Sequence, residues 1–123
     1  MINILEKNRE ISVILTLICA IIIFKISSLT FTGTGSPTPI AIIYHFTAFS
    51  YLTLFLLISL TKGKPNKSMM IIGILLAIIY GISDEFHQSF IPGRFASHKD
   101  ILVNSFGIIL TGLAYSNWTN RKL

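Results

Sequence analysis

The sequence predicts an all-α fold, a membrane bundle of four transmembrane helices with short loops, and three observations carry that expectation. The chain has 123 residues, of which 52% are hydrophobic and only 12% charged, with a mean hydropathy of +0.72. A soluble domain of this size needs far more polar cover, because a small body has much surface for its volume. Cutting the chain at its proline, glycine and charge clusters leaves four apolar stretches, each close to the ~20 residues a helix needs to cross a bilayer. Lysine and arginine gather between and beyond those stretches. The net charge of +5 is therefore read as a record of orientation and of contact with anionic lipid. No basic face interleaved with aromatic residues points to nucleic acid. No internal repeat or second domain is visible, so residues 1–123 are expected to form one domain.

The first stretch, ISVILTLICAIIIFKISSL at residues 11–29, spans if Lys25 snorkels toward an interface. Lys7 and Arg9 ahead of it would also suit a signal peptide, but no small-residue cleavage signature follows, and a retained helix is expected. Cys19, the single cysteine, lies inside this run. It can form no intramolecular disulfide and reads as a small packing residue. TFTGTGSPTP has the glycines and prolines of a loop, ending in Thr38 as N-cap and Pro39 at the first helical position. The second span then runs from about Ile40 to Leu60. TKGKPNKS is a short basic loop, and the third span, Met69 to about Gln88, turns polar only in its last turns. After the loop FIPGRFASHK, Ser97 and Asp100 of SHKD match a capping box, in which the serine oxygen takes an orphan amide and the carboxylate reaches back. That opens a fourth helix ending near Trp118. Trp118 and Tyr115 suit the headgroup region.

With the N-terminus cytoplasmic, seven basic residues lie inside (Lys7, Arg9, Lys62, Lys64, Lys67, Arg121, Lys122) against three outside (Lys25, Arg94, Lys99). The positive-inside bias thus predicts a multi-pass protein of the cell membrane with both termini cytoplasmic. Polar residues then converge at the outer end. At a rise of about 1.5 Å per residue, His45 lies about 9 Å below the outer end of the second span, and Asp84 to Gln88 and Asp100 to Asn104 reach comparable depth.

Ionisable groups at membrane depth cost on the order of 2.5 to 3.5 kcal/mol each, so a group of them normally faces a bundle interior or a wet cavity. Asp84, His87, Gln88 and Ile91 share one helical face, with Glu85 displaced by about 100°. Asp100, Asn104, Gly107 and Thr111 repeat the pattern on the fourth helix. Gly107 and Gly112 permit close approach, which would let Asn104 meet the polar end of the third span. One cavity could hold the whole set. Each member also has a plainer reading: Asp100 as a cap, Asn104 as interhelical glue, His45 as a hydrogen-bonded packing residue, Arg94 after the IPG turn as a lipid-phosphate contact, and His98 and Lys99 as a solvated loop. Together they offer more ionisable groups than helix association requires.

HFTAFSYLTLFL from His45, SDEFHQSFIPGR and SHKDILVNSFGIILTG resemble the VanZ-like family of small membrane proteins. That family's signature joins a histidine early in one helix to D-E-x-x-Q, P-G-R and D-x-x-x-N-x-x-G. The resemblance covers residues 40–112, and the first span matches only as an apolar segment. It implies a multi-pass bundle, with some members linked to low-level resistance to the glycopeptide teicoplanin. Carried over, the family positions are His45, Asp84, Glu85, Gln88, Arg94, Asp100, Asn104 and Gly107.

Three functional readings follow. In the first, the protein binds or modifies an anionic lipid-linked or cell-envelope ligand in an outward-facing cavity lined by His45, Asp84, Glu85, His87, Gln88, Arg94, Asp100 and Asn104. Arg94 would make two-point contact with a phosphate or carboxylate and pair with a carboxylate of Asp84, Glu85 or Asp100 when empty. Membrane lipids, a lipid-linked envelope precursor or a glycopeptide are the expected partners, with no cofactor. The second is an intramembrane hydrolase or transferase, with Glu85 or Asp84 as base, His45 or His87 as acid, and Arg94 stabilising developing charge. Glu85 and His45 are its leading catalytic candidates. Adjacent Asp84 and Glu85 point apart on a helix, and the E-E-x-x-x-R spacing of CAAX-type proteases is not met. The third is a structural subunit whose polar cluster locks the bundle. His45, His87, Asp84 and Glu85 are suitable metal donors, but no H-E-x-x-H or comparable spacing appears, and no metal is expected.

Overall fold

The computed structural model describes residues 1–29, 38–94 and 96–123, and all of its regular structure is helical. Five helices follow one another: α1 (Ile2–Lys7), α2 (Arg9–Ser27), α3 (Pro39–Thr61), α4 (Lys67–Gln88) and α5 (His98–Asn120). The expected first span is α2, starting two residues earlier and preceded by a short helix not foreseen. The chain bends between them at Asn8, whose backbone leaves helical values at φ −115° and ψ 75°. Most of the loop expected at TFTGTGSPTP lies outside the described residues.

Local chemistry explains the boundaries. Thr38 caps α3 by accepting from the Ala41 amide at 3.1 Å with Pro39 behind it, as a proline that needs no amide partner there allows. At the other end Lys62 adopts a left-handed conformation, φ 53°, and its amide closes on Ile58. Gly63 follows at φ 75°. Asn66 then starts α4, accepting from Met69 at 3.1 Å.

α3 is the central helix, packed against α2, α4, α5 and α1. Phe49, Leu57 and Ile58 of α3, Ile23 of α2 and Ile108 of α5 are fully enclosed, whereas large side chains such as Leu17 and Ile21 of α2, Leu75 and Ile79 of α4 and Phe106 and Leu113 of α5 lie outside. An apolar exterior around an interior that contains polar side chains is the inverse of a soluble bundle and suits lipid. Three helices, α2, α3 and α4, are long and apolar enough to cross a membrane. The fourth expected span, α5, matches α3 in length at 23 residues but is not among those three, since it carries more polar residues.

α1 fastens one end of the bundle. Leu5 joins a core cluster with Phe55, Leu57, Met70 and Tyr115. Glu6 accepts from Tyr115 Oη at 3.1 Å and pairs with Lys122, whose ammonium lies 5.1 Å from the Trp118 ring centroid. Arg9 Nε donates to the Ser59 carbonyl at 3.0 Å. The polar cluster lies at the opposite end, where α2 and α4 finish and α3 and α5 begin.

Candidate functional site

The polar end contains two hydrogen-bonded sets where one cavity was expected. The reason is helical geometry: Asp84 and Glu85, offset by about 100°, face different neighbours. Asp84 turns to α2, where Ser27 Oγ donates to its Oδ1 at 2.5 Å and Gln88 Nε2 donates to its Oδ2 at 2.9 Å. His87 faces the same helix, with Nε2 3.0 Å from Ser28 Oγ and its ring stacked on Phe24 at 4.7 Å between centroids. It is therefore held away from His45.

Arg94 belongs to this first set. Ile91, Pro92, Gly93 and Arg94 form a turn in which the Arg94 amide donates to the Ile91 carbonyl at 3.1 Å, with Gly93 at φ 79°. Proline followed by a glycine of positive φ is the chemistry of a tight turn that a side chain at the glycine position would strain. The turn folds the guanidinium back over α4. Nε and Nη2 both donate to Gln88 Oε1, at 3.3 and 2.9 Å, and Nη1 donates to the Ile26 carbonyl at 3.4 Å. Among the described contacts, Arg94 is linked to Asp84 by a relay through Gln88, whose amide carries its oxygen to Arg94 and its nitrogen to Asp84.

The second set joins α3, α4 and α5. His45 Nδ1 lies 3.0 Å from Asn104 Oδ1, and His45 Nε2 lies 3.7 Å from Asp100 Oδ2. Asn104 was expected to tie the last helix to the polar end of α4; it binds α3 instead. Gly107, one turn along, sits against the Phe46 carbonyl and Ser50, so α3 and α5 approach closely there. Gly112 faces Ile74 of α4. Glu85 enters the same space from α4, and its Oε2 accepts from the Ser97 amide at 3.1 Å. This corrects the capping box. Ser97 is the N-cap of α5, but its side chain makes no cap bond. A carboxylate twelve residues earlier takes the N-cap amide, at the end of the helix that favours negative charge.

The electrostatics of this second set are unusual. His45, Glu85 and Asp100 are all buried, and a donor atom from each lies within 4.8 Å of the others. Glu85 Oε1, Asp100 Oδ1 and Asn104 Nδ2 are enclosed and have no hydrogen-bond partner among the described residues. Two charged carboxylates at that separation repel by on the order of 3 kcal/mol at an effective dielectric constant of about 20. Each unpaired buried polar atom adds about 1 to 3 kcal/mol of lost solvation. A proton, a cation or a hydrogen-bond donor placed there would offset these costs.

Sequence reasoning missed Ser27, Ser28 and Tyr44. The serines end the first apolar run as a pair on the polar side of the bundle, a signal that was legible. Tyr44 adjoins His45, with ring centroids 5.4 Å apart, and its buried hydroxyl also has no partner; nothing in its apolar surroundings along the chain marks it. Beside the second set an apolar groove of 630 Å³ runs between α3 and α5, lined by Ile42, Ile43, Phe46, Leu102, Val103 and Phe106.

The family model described as VanZ/LLP1 matches residues 3–119. The match extends past residues 40–112 to take in α2, most of α1 and nearly all of α5. Comparison with curated proteins and with solved structures returned no match.

Proposed function

The chain belongs to the VanZ/LLP1 family, and from that premise we propose that it binds the anionic headgroup of a lipid or lipid-linked envelope precursor at the polar end of its bundle. The observation that carries this reading is the held guanidinium of Arg94, fixed by the Gln88 amide and a main-chain carbonyl at the rim of a buried polar floor. A guanidinium oriented in this way suits two-point contact with phosphate or carboxylate. The apolar groove between α3 and α5 offers an acyl chain a place beside that floor. The excess of basic residues at the other end favours an outward polar end, where envelope precursors are met. A link to teicoplanin would operate through such a precursor.

An enzymatic reading is favoured by one specific observation, the approach of His45 to Asp100 with Glu85 in the same enclosed space. There Glu85 or His45 would act as base on a bound headgroup. Asp84 and His87, held by serines of α2, have other work.

Arg94→Lys tests the binding reading, because an ammonium keeps the charge but cannot form the fork to Gln88. Wild type and variant are purified in mild detergent and their retained lipids profiled by mass spectrometry. The variant is expected to fold and to lose the anionic lipid or precursor enriched with wild type. Equal retention would overturn headgroup binding through Arg94. A modified lipid that accumulates with wild type and vanishes with Glu85→Gln would move the conclusion to the enzymatic reading.

A further inference from the structure

We propose that His45, Glu85 and Asp100 form a site for a divalent transition-metal cation, zinc by the nature of the donors, with Asn104 as a positioning residue for the imidazole. The three side chains come from three helices, so no local spacing along the chain could announce them. Their donor atoms already lie within 4.8 Å of one another, and the His45 Nε2 to Asp100 Oδ2 separation is 3.7 Å. Ligands about 2.1 Å from a tetrahedral zinc stand about 3.4 Å apart, so small rotations of the carboxylates close the set.

Two independent features point to a cation. The first is orientation of the histidine. With Nδ1 donating to Asn104 Oδ1 at 3.0 Å, the neutral ring presents the Nε2 lone pair to the Asp100 carboxylate, and two acceptors face each other. A hydrogen bond from the distal ring nitrogen to a neighbouring acceptor is how proteins fix the tautomer of a metal-bound histidine. The second is the enclosed, unpartnered oxygen on each acid. Glu85 is 2% exposed and Asp100 9% exposed, and among the described residues neither Glu85 Oε1 nor Asp100 Oδ1 has a hydrogen-bond donor. Glu85 Oε2 is anchored by the Ser97 amide, leaving its other oxygen as the ligand. One imidazole and two carboxylates neutralise a divalent charge and leave a coordination position open, the mark of a site that meets an outside group.

This site lies in the second polar set, at the same end of the bundle as the Arg94 of the headgroup reading, and a bound cation would offset the negative charge of Glu85 and Asp100 there. It uses protein donors alone, so it stands whether or not a headgroup binds.

Untagged protein in chelator-free detergent is analysed for metal by mass spectrometry, then stripped with EDTA and titrated with zinc chloride and, for its visible spectrum, cobalt chloride, with no lipid added. Wild type is expected to hold one cation per chain and to rise in thermal midpoint on metal addition. The near-isosteric Glu85→Gln and Asp100→Asn are expected to lose this binding. Asn104→Ala should weaken it by roughly 10- to 100-fold, as loss of an outer-shell partner does. His98→Ala, altering an exposed histidine, should bind as wild type. Circular dichroism and gel filtration confirm that each variant is folded. Wild-type binding no tighter than that of folded Glu85→Gln, or binding lost in His98→Ala, overturns the site. Because lipid retention is measured separately, a failure here leaves the headgroup result standing.

Discussion

Replacing Gly107 by alanine should loosen the bundle at the second polar set, and Gly112→Ala supplies its control. A Cβ at position 107 would lie 2.9 Å from the Phe46 carbonyl oxygen, 2.9 Å from Ser50 Oγ and 3.3 Å from Phe46 Cδ2. The carbonyl belongs to the backbone of α3 and cannot rotate aside, so α5 must withdraw by about half an ångström to restore ordinary contact. Overpacking of this kind costs about 1 to 3 kcal/mol. The same withdrawal would stretch the His45 to Asn104 contact from 3.0 Å toward the ~3.5 Å at which a hydrogen bond is lost. At position 112 the nearest atom is closer still, Ile74 Cδ1 at 2.6 Å, but it is the end of a flexible side chain that can change rotamer. Alanine gains about 0.8 to 1 kcal/mol over glycine in helix propensity at both sites, so that term cancels in the comparison. Gly107→Ala is therefore expected to be less stable than Gly112→Ala by about 1 to 3 kcal/mol, measured by reversible unfolding in mixed micelles. Equal stabilities, or a larger loss at 112, would refute the close α3 to α5 contact from which the cluster is built.

Two further outcomes follow from the same geometry. Asn104→Ala removes an interhelical hydrogen bond between α5 and α3, so stability should fall by about 0.6 to 2 kcal/mol; an unchanged unfolding midpoint would show that this bond holds nothing. If the polar end faces outward, a cysteine at Ser97 in a Cys19→Ser background should react with an impermeant maleimide from outside the cell. One at Pro65 should react only after permeabilisation. The reverse pattern would invert the topology and place the polar end at the cytoplasmic face.

The long helices were legible because apolar runs and their punctuation are one-dimensional signals, and Thr38 with Pro39 marked the start of α3 within the chain itself, although α5 is not apolar enough to stand with the three candidate spans. α1 was not legible. INILEK is too short to show a face of its own, and it is held by Leu5 packing among Phe55, Leu57 and Tyr115, contacts far away in sequence. The capping box at Ser97 and Asp100 illustrates the same limit. The local pattern is present, yet Glu85 from the preceding helix takes the Ser97 amide, and Asp100 is drawn to His45.

The helical faces were readable where their partners were not. Asp84, His87 and Gln88 do share a face, but it meets Ser27 of α2 and Ser28 just after it, and Asn104, expected to join them, bonds to His45. Periodicity says which residues of one helix point together. It does not say which helix stands opposite, since in a bundle with an apolar exterior every helix offers lipid and protein similar surfaces. The choice is made by small residues that permit approach, such as Gly107 against Phe46, and by polar groups that lose least when paired. That choice separates two adjacent acids into different tasks. Asp84, with Ser27, Gln88 and Arg94, has both carboxylate oxygens hydrogen-bonded and serves to hold the guanidinium in place. Glu85, with one oxygen bonded and one bare, retains the capacity to bind. The incomplete member of the pair, and the incomplete set around it, are therefore where the proposed cation would act.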